Sequence, residues 1–423
     1  MTPYEALTPA TLPKWLGQLT AVTNHVGSNT DHWRVEEVGD GNLNLVFIVR
    51  GAAGSVIVKQ ALPYVRLVGE SWPLPLNRAF FEFNALTRHA AHDPGRVPEI
   101  YHFDETQALI VMRHLTPHVI FRKSVVRGVV HPNIGRDMGL FVARTLFGNS
   151  ALALNGTAVR SDMALFAGNT ALSDITENLV FSDPYFAAKL NRHTPGLEPY
   201  IALLRQDRAL RIAAQEMKHV FVTKTETLVH GDLHSGSIMV TADDTQVIDP
   251  EFAMYGPFGF DIGMLLANLL LAFFAQQGHE EKAGARDDYR QWLLSVFEAI
   301  WNNFAAEFRL LWRTKRNGIL YEKSVLENAD FQSGGDPESA DIACARVLKT
   351  VWCDAVGFIG VEMHRRILGL AHIEDLEAIP DPARRVICEA KALTLGSIVA
   401  VERNILTPTD IIALANSILK RRL

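Results

Sequence analysis

An α+β protein of two lobes is the fold class this sequence predicts: a small, mainly antiparallel β lobe carrying one helix, then a larger lobe that is mostly α-helical. Two observations carry the prediction. From residue 33 to residue 112, short β-rich runs surround a single helical stretch. Beyond residue 112 the apolar spacing turns helical and stays so, apart from one β island. Length agrees, because a single core spread over 423 residues is strained and tends to divide. The first lobe is placed at residues 1–112, with a helical extension over 1–30, and the second at 113–423.

Taken in order, the first lobe opens its sheet with a strand over 45–49, preceded by Gly39-Asp-Gly41-Asn42-Leu-Asn44. The two glycines allow close backbone approach, either over a phosphate or simply to make a hairpin turn. The next strand, 56–59, ends in Lys59, whose ammonium is held by apolar neighbours. A helical stretch over 78–91 carries Glu82, and a last strand over 109–112 leads out of the lobe. Helical spacing then covers 136–147, 198–222, 287–311, 341–370 and 382–404, while 276–285 and 315–338 have the composition of exposed connections. The most apolar run, 263–275, contains Asn268 and falls short of the roughly 20 residues a bilayer requires, so a buried helix of the second lobe is expected.

Composition narrows the function. Apolar residues make up 48% and charged residues 21%, the balance of a globular enzyme. A formal charge of −6 and a pI near 6.2 supply no general attraction to nucleic acid or anionic membrane surfaces. Cys344, Cys353 and Cys388 lack metal-ligand spacing and read as core thiols of a protein kept reduced. Residues 1–24 show no basic segment followed by an apolar run and a cleavage site, so a cytoplasmic protein is expected.

Chemistry is expected in the β island, 228–252. Two short strands flank Ala242-Asp243-Asp244-Thr245. With Asp243 and Asp244 central in the turn, antiparallel register pairs Val240 with Val247 and Ile238 with Asp249. The ends of the hairpin then meet, bringing Asp232 and Ser237 on the entering loop near Asp249 and Glu251 on the leaving loop. Three such carboxylates raise one another's pKa unless a cation joins them, and magnesium suits hard oxygen ligands.

The run His230-Gly-Asp-Leu-His-Ser-Gly-Ser237, followed by Ile248-Asp-Pro-Glu251, resembles the catalytic and metal-binding segments of the aminoglycoside-phosphotransferase-like kinases, relatives of the protein kinases. The segment from Lys59 to Pro73, with Trp72 in a loop, is similar to that of the methylthioribose kinases, as is the arginine pair in Gly360-Val-Glu-Met-His-Arg365-Arg366. The resemblance implies a protein-kinase-like fold and ATP-dependent phosphorylation of 5-methylthioribose on its anomeric hydroxyl, with Mg2+, by a homodimer working in methionine salvage.

Residue by residue, it implies Asp232 as the catalytic base and substrate contact, and Asp249 with Glu251 as metal ligands in a D-x-E form of the protein-kinase D-F-G. Ser237 stands where the general pattern has a metal-binding Asn. A hydroxyl is a weaker ligand, and Glu251 supplies the missing charge. For the nucleotide, the resemblance implies Gly39, Gly41, Asn42 and Asn44 over the phosphates and Lys59 with an acidic partner, Glu82 or else Glu70. Trp72 is expected near the nucleotide, and the adenine beside Met112 to Leu115. Arg365 and Arg366, which on residue pattern alone would be a solvated basic face, become substrate-site residues. Choline, homoserine and aminoglycoside kinases share the catalytic island, but paired arginines repel an amine substrate. A protein kinase is disfavoured by the short span from Pro250 to Phe260, and a silent nucleotide-binding protein by the presence of Lys59, Asp232 and Asp249.

Overall fold

The computed structural model describes residues 3–39, 43–66, 69–327 and 337–421. In the first lobe lie β1 (Arg34–Glu37), β2 (Asn44–Arg50), β3 (Ser55–Ala61), the small hairpin β4 (Tyr64–Val65) and β5 (Gly69–Pro73), the helix Arg78–His92, then β6 (Ile100–Asp104) and β7 (Leu109–Arg113). Five of the strands form one antiparallel sheet in the order β1-β2-β3-β7-β6.

Alternation along these strands gives the sheet two faces. Phe47 and Val49 of β2 pair with Val58 and Val56 of β3, and with Leu109 and Val111 they pack against Leu12, Leu16, Val22 and Val26 of the short N-terminal helices. Full burial of a side chain of this size contributes about 1.5–3 kcal/mol, which fastens that extension to the sheet. Lys59, paired with Val46 and Ile110, points to the opposite face, as do the half-buried Ile48 and Ile57. That face looks toward the second lobe, where Lys59 meets Asp249.

After the connection at Leu115, β8 (Val119–Ile120) is followed by helices, then by β9 (Thr227–Val229), β10 (Ile238–Val240), β11 (Thr245–Val247) and β12 (Met254–Gly256). β10 joins β11 and β8 in one small sheet, and β12 pairs with β9 in another. The hairpin register differs from the expectation by two residues: Val240 faces Thr245 and Ile238 faces Val247. The turn closes one residue early, between Thr241 and Asp244, because the Thr241 hydroxyl accepts hydrogen bonds from the N–H groups of both Asp243 and Asp244. A two-residue shift keeps each side chain on its face, and Ile248 still donates to the Ser237 carbonyl at 3.0 Å, so the two loops meet as expected.

The helix Gly259–His279 is the post of the second lobe. Its 21 residues are long and apolar enough to cross a membrane, so the shortness expected of this segment does not hold; what assigns it to the core is that its apolar window is wholly buried in protein. It also runs through Gln276, fully buried, where an exposed connection was expected. At Gly263 a Cβ would lie 2.5 Å from the Ala355 carbonyl, so glycine there lets the long helix Pro337–Leu368 approach closely. The single helix expected over 198–222 is instead two, Glu198–Gln206 and Arg208–Thr223, because Asp207 adopts an extended conformation and caps the second through Leu210 N–H. The helices Ile134–Gly148, Asp287–Lys315 and Pro382–Val401 complete the lobe's core.

Candidate active site

The loop after β9 is held through its backbone N–H groups. Asp261, at the start of the post helix, accepts hydrogen bonds from His230 N–H at 2.6 Å and Gly231 N–H at 3.1 Å. Gly231 has φ +86°, and a Cβ there would stand 2.2 Å from the Phe252 carbonyl, so only glycine lets this loop touch the segment that follows Asp249. His230 Nδ1 accepts from Asp232 N–H at 3.3 Å, which leaves Nε2 to donate to the Ile248 carbonyl at 2.9 Å. His234 Nδ1 accepts from the N–H groups of Gly236 and Ser237, which leaves its Nε2 to donate to Asp232 Oδ2 at 3.2 Å. Both imidazoles are neutral braces: burial lowers the His230 pKa and takes that of His234 down to about 4. The Ser237 hydroxyl is engaged within the same loop, accepting from His234 N–H at 2.9 Å with the carbonyls of Asp232 and His234 within 3.1 Å of it.

Asp232 faces three donors. Besides His234, Arg365 Nη2 and Arg366 Nη2 reach its Oδ1 at 3.2 and 3.3 Å. Burial alone would raise its pKa, but His234, Arg366 and Arg365 more than offset that and hold the carboxyl well below the ordinary carboxylate range. The two arginines are neighbours on the helix Pro337–Leu368, with side chains about 100° apart around the axis. They converge because Glu362, one turn earlier and wholly buried, accepts from Nε of both at 2.6 Å.

On the other side of the hairpin, Lys59 lies 2.7 Å from Glu82 and also contacts Asp249. Burial works against the Lys59 charge, yet Asp249, Glu82 and Glu251 together hold the ammonium above its ordinary range. Glu70 is exposed on β5 and has no ion pair to Lys59. Asp249 has φ +71°, a sparsely populated left-handed conformation for a non-glycine residue that tends to mark functional positions. Its side chain is 47% exposed. Glu251, by contrast, is buried, accepting from Asn44 Nδ2 at 3.1 Å and from Arg78 Nε at 3.2 Å. Arg78 itself is fully buried and donates further to the Leu62 carbonyl and to Asn44 Oδ1.

The three carboxylates therefore do not form the single cluster expected from the sequence. Among the described residues no group of three or more His, Cys, Asp or Glu side chains is placed to hold a metal. Each carboxylate is matched by its own cation: Asp232 by the arginine pair, Asp249 by Lys59, Glu251 by Arg78. A hard cation such as Mg2+ binds through one or two carboxylates and completes its shell with phosphate and water oxygens. The half-exposed Asp249 offers such a carboxylate, so the donor chemistry fits without a closed protein cage.

The remaining expected residues that are described lie in the first lobe and where the chain leaves it. Gly39 is exposed after β1, and Gly41 and Asn42 lie outside the described residues. Trp72 is half-buried in an apolar cluster with Leu43, Val65 and Leu74 of the first lobe and Leu172, Ile175 and Phe252 of the second. Met112, paired with Ile57, and Leu115 are both buried where the chain leaves the sheet. Reading the sequence missed Glu362, Arg78 and Asp261. The spacing of Glu362 from Arg365 and Arg366, three and four residues, was a usable signal on a helix. Arg78 gave none, since apart from the nearby Pro75 carbonyl its partners lie at residues 43, 44, 62 and 251.

Residues 34–295 match the model of the phosphotransferase enzyme family. The chain is 42% identical over 394 residues to methylthioribose kinase 2 of Oryza sativa subsp. japonica, covering 92% of this chain and 90% of that one. It is 40% identical over 395 residues to a methylthioribose kinase of Escherichia coli O45:K1, covering 93% of each. A third relative, the methylthioribose kinase of Geobacillus kaustophilus, is 40% identical over 377 residues, 88% of each chain.

Proposed function

The chain belongs to the methylthioribose kinases, within the phosphotransferase enzyme family, and from that premise we propose that it transfers the γ-phosphoryl group of ATP to the anomeric hydroxyl of 5-methylthioribose, giving the 1-phosphate in methionine salvage. It is a kinase acting on a small molecule, with a two-lobed, protein-kinase-like fold.

The observation that carries the reading is the meeting of Arg365 and Arg366 on one oxygen of Asp232. Asp232, kept ionised by these partners, orients the sugar hydroxyl and takes its proton as the phosphoryl bond forms. A carboxyl so acidic is a weak base, so positioning is its larger contribution. The guanidinium groups lie where negative charge gathers on the transferred group and on the product phosphate. Lys59, held by Glu82, meets the nucleotide phosphates, and the adenine rests against the cleft face near Ile57 and the Met112 to Leu115 connection.

Asp249 would hold magnesium, which when bound would supply neutralisation of the phosphate charge. Glu251, tied to Arg78 and Asn44, supplies buried negative charge behind Asp249, and Ser237 keeps the entering loop in shape. We place the enzyme in the cytoplasm as a homodimer, without nucleic-acid or membrane partners; its cysteines are unpaired, in keeping with a reducing compartment.

A coupled ADP-release assay on 5-methylthioribose, with ribose and choline as controls, tests the reading. Turnover of the thiosugar and none of choline is expected. Turnover of choline, homoserine or an aminoglycoside with none of the thiosugar would overturn it, and sedimentation of the purified enzyme tests the dimer.

A further inference from the structure

Asn268 is a polar residue in the middle of the helix Gly259–His279, whose apolar window is wholly buried. Its amide is satisfied on both ends. Oδ1 accepts from Arg122 Nη2 at 3.1 Å and from the Ser235 hydroxyl at 3.3 Å; Nδ2 donates to the Met264 carbonyl at 3.0 Å and to Glu362 Oε1 at 3.4 Å. Arg122 Nε in turn donates to the same Ser235 hydroxyl at 3.1 Å. A continuous buried polar path thus joins the loop that carries Asp232 to the helix that carries the arginine pair, without passing through Asp232 itself.

Glu362 is the end of that path. Its relative exposure is 0%, and an unpartnered carboxylate so deep in protein would be costly. Here each oxygen takes one Nε–H, Oε2 from Arg365 and Oε1 from Arg366, both at 2.6 Å. Using Nε for the clamp leaves each Nη2 free to turn to Asp232 Oδ1. Without the clamp, two adjacent helical arginines diverge.

We infer that Glu362 is a positioning residue of this kinase, which aims both guanidinium groups at Asp232 and is held in register with the catalytic loop by Asn268. The inference rests on the function proposed above. Glu362 touches no reacting atom; it acts through the arginines, and its carboxylate, rather than mere polarity, is what accepts from two cations at once. An amide at this position keeps one acceptor and turns an N–H toward one guanidinium, releasing that arginine. An aspartate keeps the charge but, one methylene shorter, cannot span both.

The test uses Glu362→Gln and Glu362→Asp in the full-length enzyme, assayed for ADP release with 5-methylthioribose beside the wild type. Both variants are expected to lose about 10- to 100-fold in kcat with KM for ATP unchanged. The acid limb of the pH–rate profile should move to higher pH, because Asp232 loses part of the arginine charge that keeps it acidic. A residue that only supports the helix would lower thermal stability and leave that limb in place. Wild-type kcat and an unmoved limb in both variants overturn the inference. If Glu362→Gln does not fold, Glu362→Asp alone decides by the same two readouts. If the wild type itself does not turn over the thiosugar, the functional reading fails, which is a different result.

Discussion

His230 donates through Nε2 to the carbonyl of Ile248 at 2.9 Å, spanning the gap between the loop of Asp232 and the strand end that delivers Asp249. The same ring accepts from Asp232 N–H, so one neutral imidazole fixes the spacing of the two functional loops. Replacing it with Gln retains polarity but not the two-ended reach. His230→Gln is expected to lower kcat about 10- to 100-fold while costing about 1–3 kcal/mol of stability from the backbone groups left unpaired. Steady-state kinetics and urea unfolding of the same preparation separate the two effects.

Asp232→Asn removes the charge that three donors converge on. Turnover should fall about 100- to 10,000-fold, the usual range for a group that handles the transferred proton. KM for ATP should be nearly unaffected, since Lys59 and Asp249 are elsewhere in the cleft. Full turnover by this variant with magnesium and ATP would remove Asp232 from the mechanism.

Lys59 and Glu82 form an ion pair whose side chains are 10% and 3% exposed. Removing Glu82 leaves Lys59 with Asp249 as its remaining ion-pair partner, so the cost stays below the about 3–5 kcal/mol of a fully broken buried pair. Glu82→Ala is therefore expected to lower the unfolding midpoint in urea and, by freeing Lys59, to raise KM for ATP. Lys59→Met should lower kcat/KM for ATP more strongly, because it removes the cation itself.

Asp249→Asn tests the metal assignment. Loss of one carboxylate charge should raise the magnesium concentration needed for half-maximal rate at least tenfold, and chelation with EDTA should stop the wild-type enzyme until magnesium is restored. An unchanged magnesium titration in the variant would place the ion elsewhere.

Stability should depend on pH through buried histidines. Burial lowers His89 from 6.5 to about 3, and His234 and His364 from 6.5 to about 4. A base with a depressed pKa in the native state is protonated first in the unfolded chain. Stability is then complete above pH 6.5 and falls as pH drops toward 4. Asp375 runs the other way, since burial raises it from 3.8 to about 6 and favours the native state on the acid side of that window. Burial pushes the Glu82 carboxyl up as well, but the three histidines outweigh the two carboxyls, so the urea midpoint should decline from pH 7 to pH 4. A flat midpoint would contradict the neutral assignments.

Much of this architecture was legible before the fold was known, where periodicity is strong. The strands around Phe47, Val58 and Leu109 and the long helices carry unbroken apolar patterns, which local spacing reveals. Two of the errors arose where a single side chain changed the backbone: the Thr241 hydroxyl closing its turn early, and Asp207 cutting one helix into two. In the site, Asp232, Lys59 and Asp249 stood out because acidic and basic groups were set into apolar sequence. Their supports did not. Arg78 reads as an ordinary helix-start arginine until its partners, scattered from Leu43 to Glu251, are brought around it. Its role is a property of the assembled fold.

The pairing of every site carboxylate with a resident cation has a further consequence for ligand capture. Lys59, Arg365 and Arg366 already hold protein anions, so an entering phosphate does not meet loose positive charge wrapped in mobile counter-ions. At the site proposed above it would displace one internal partner by another, an ion exchange carried out inside the protein. Such an exchange changes the surrounding salt atmosphere little, and nucleotide affinity should therefore be nearly level across ionic strengths that dissociate complexes built on exposed basic patches.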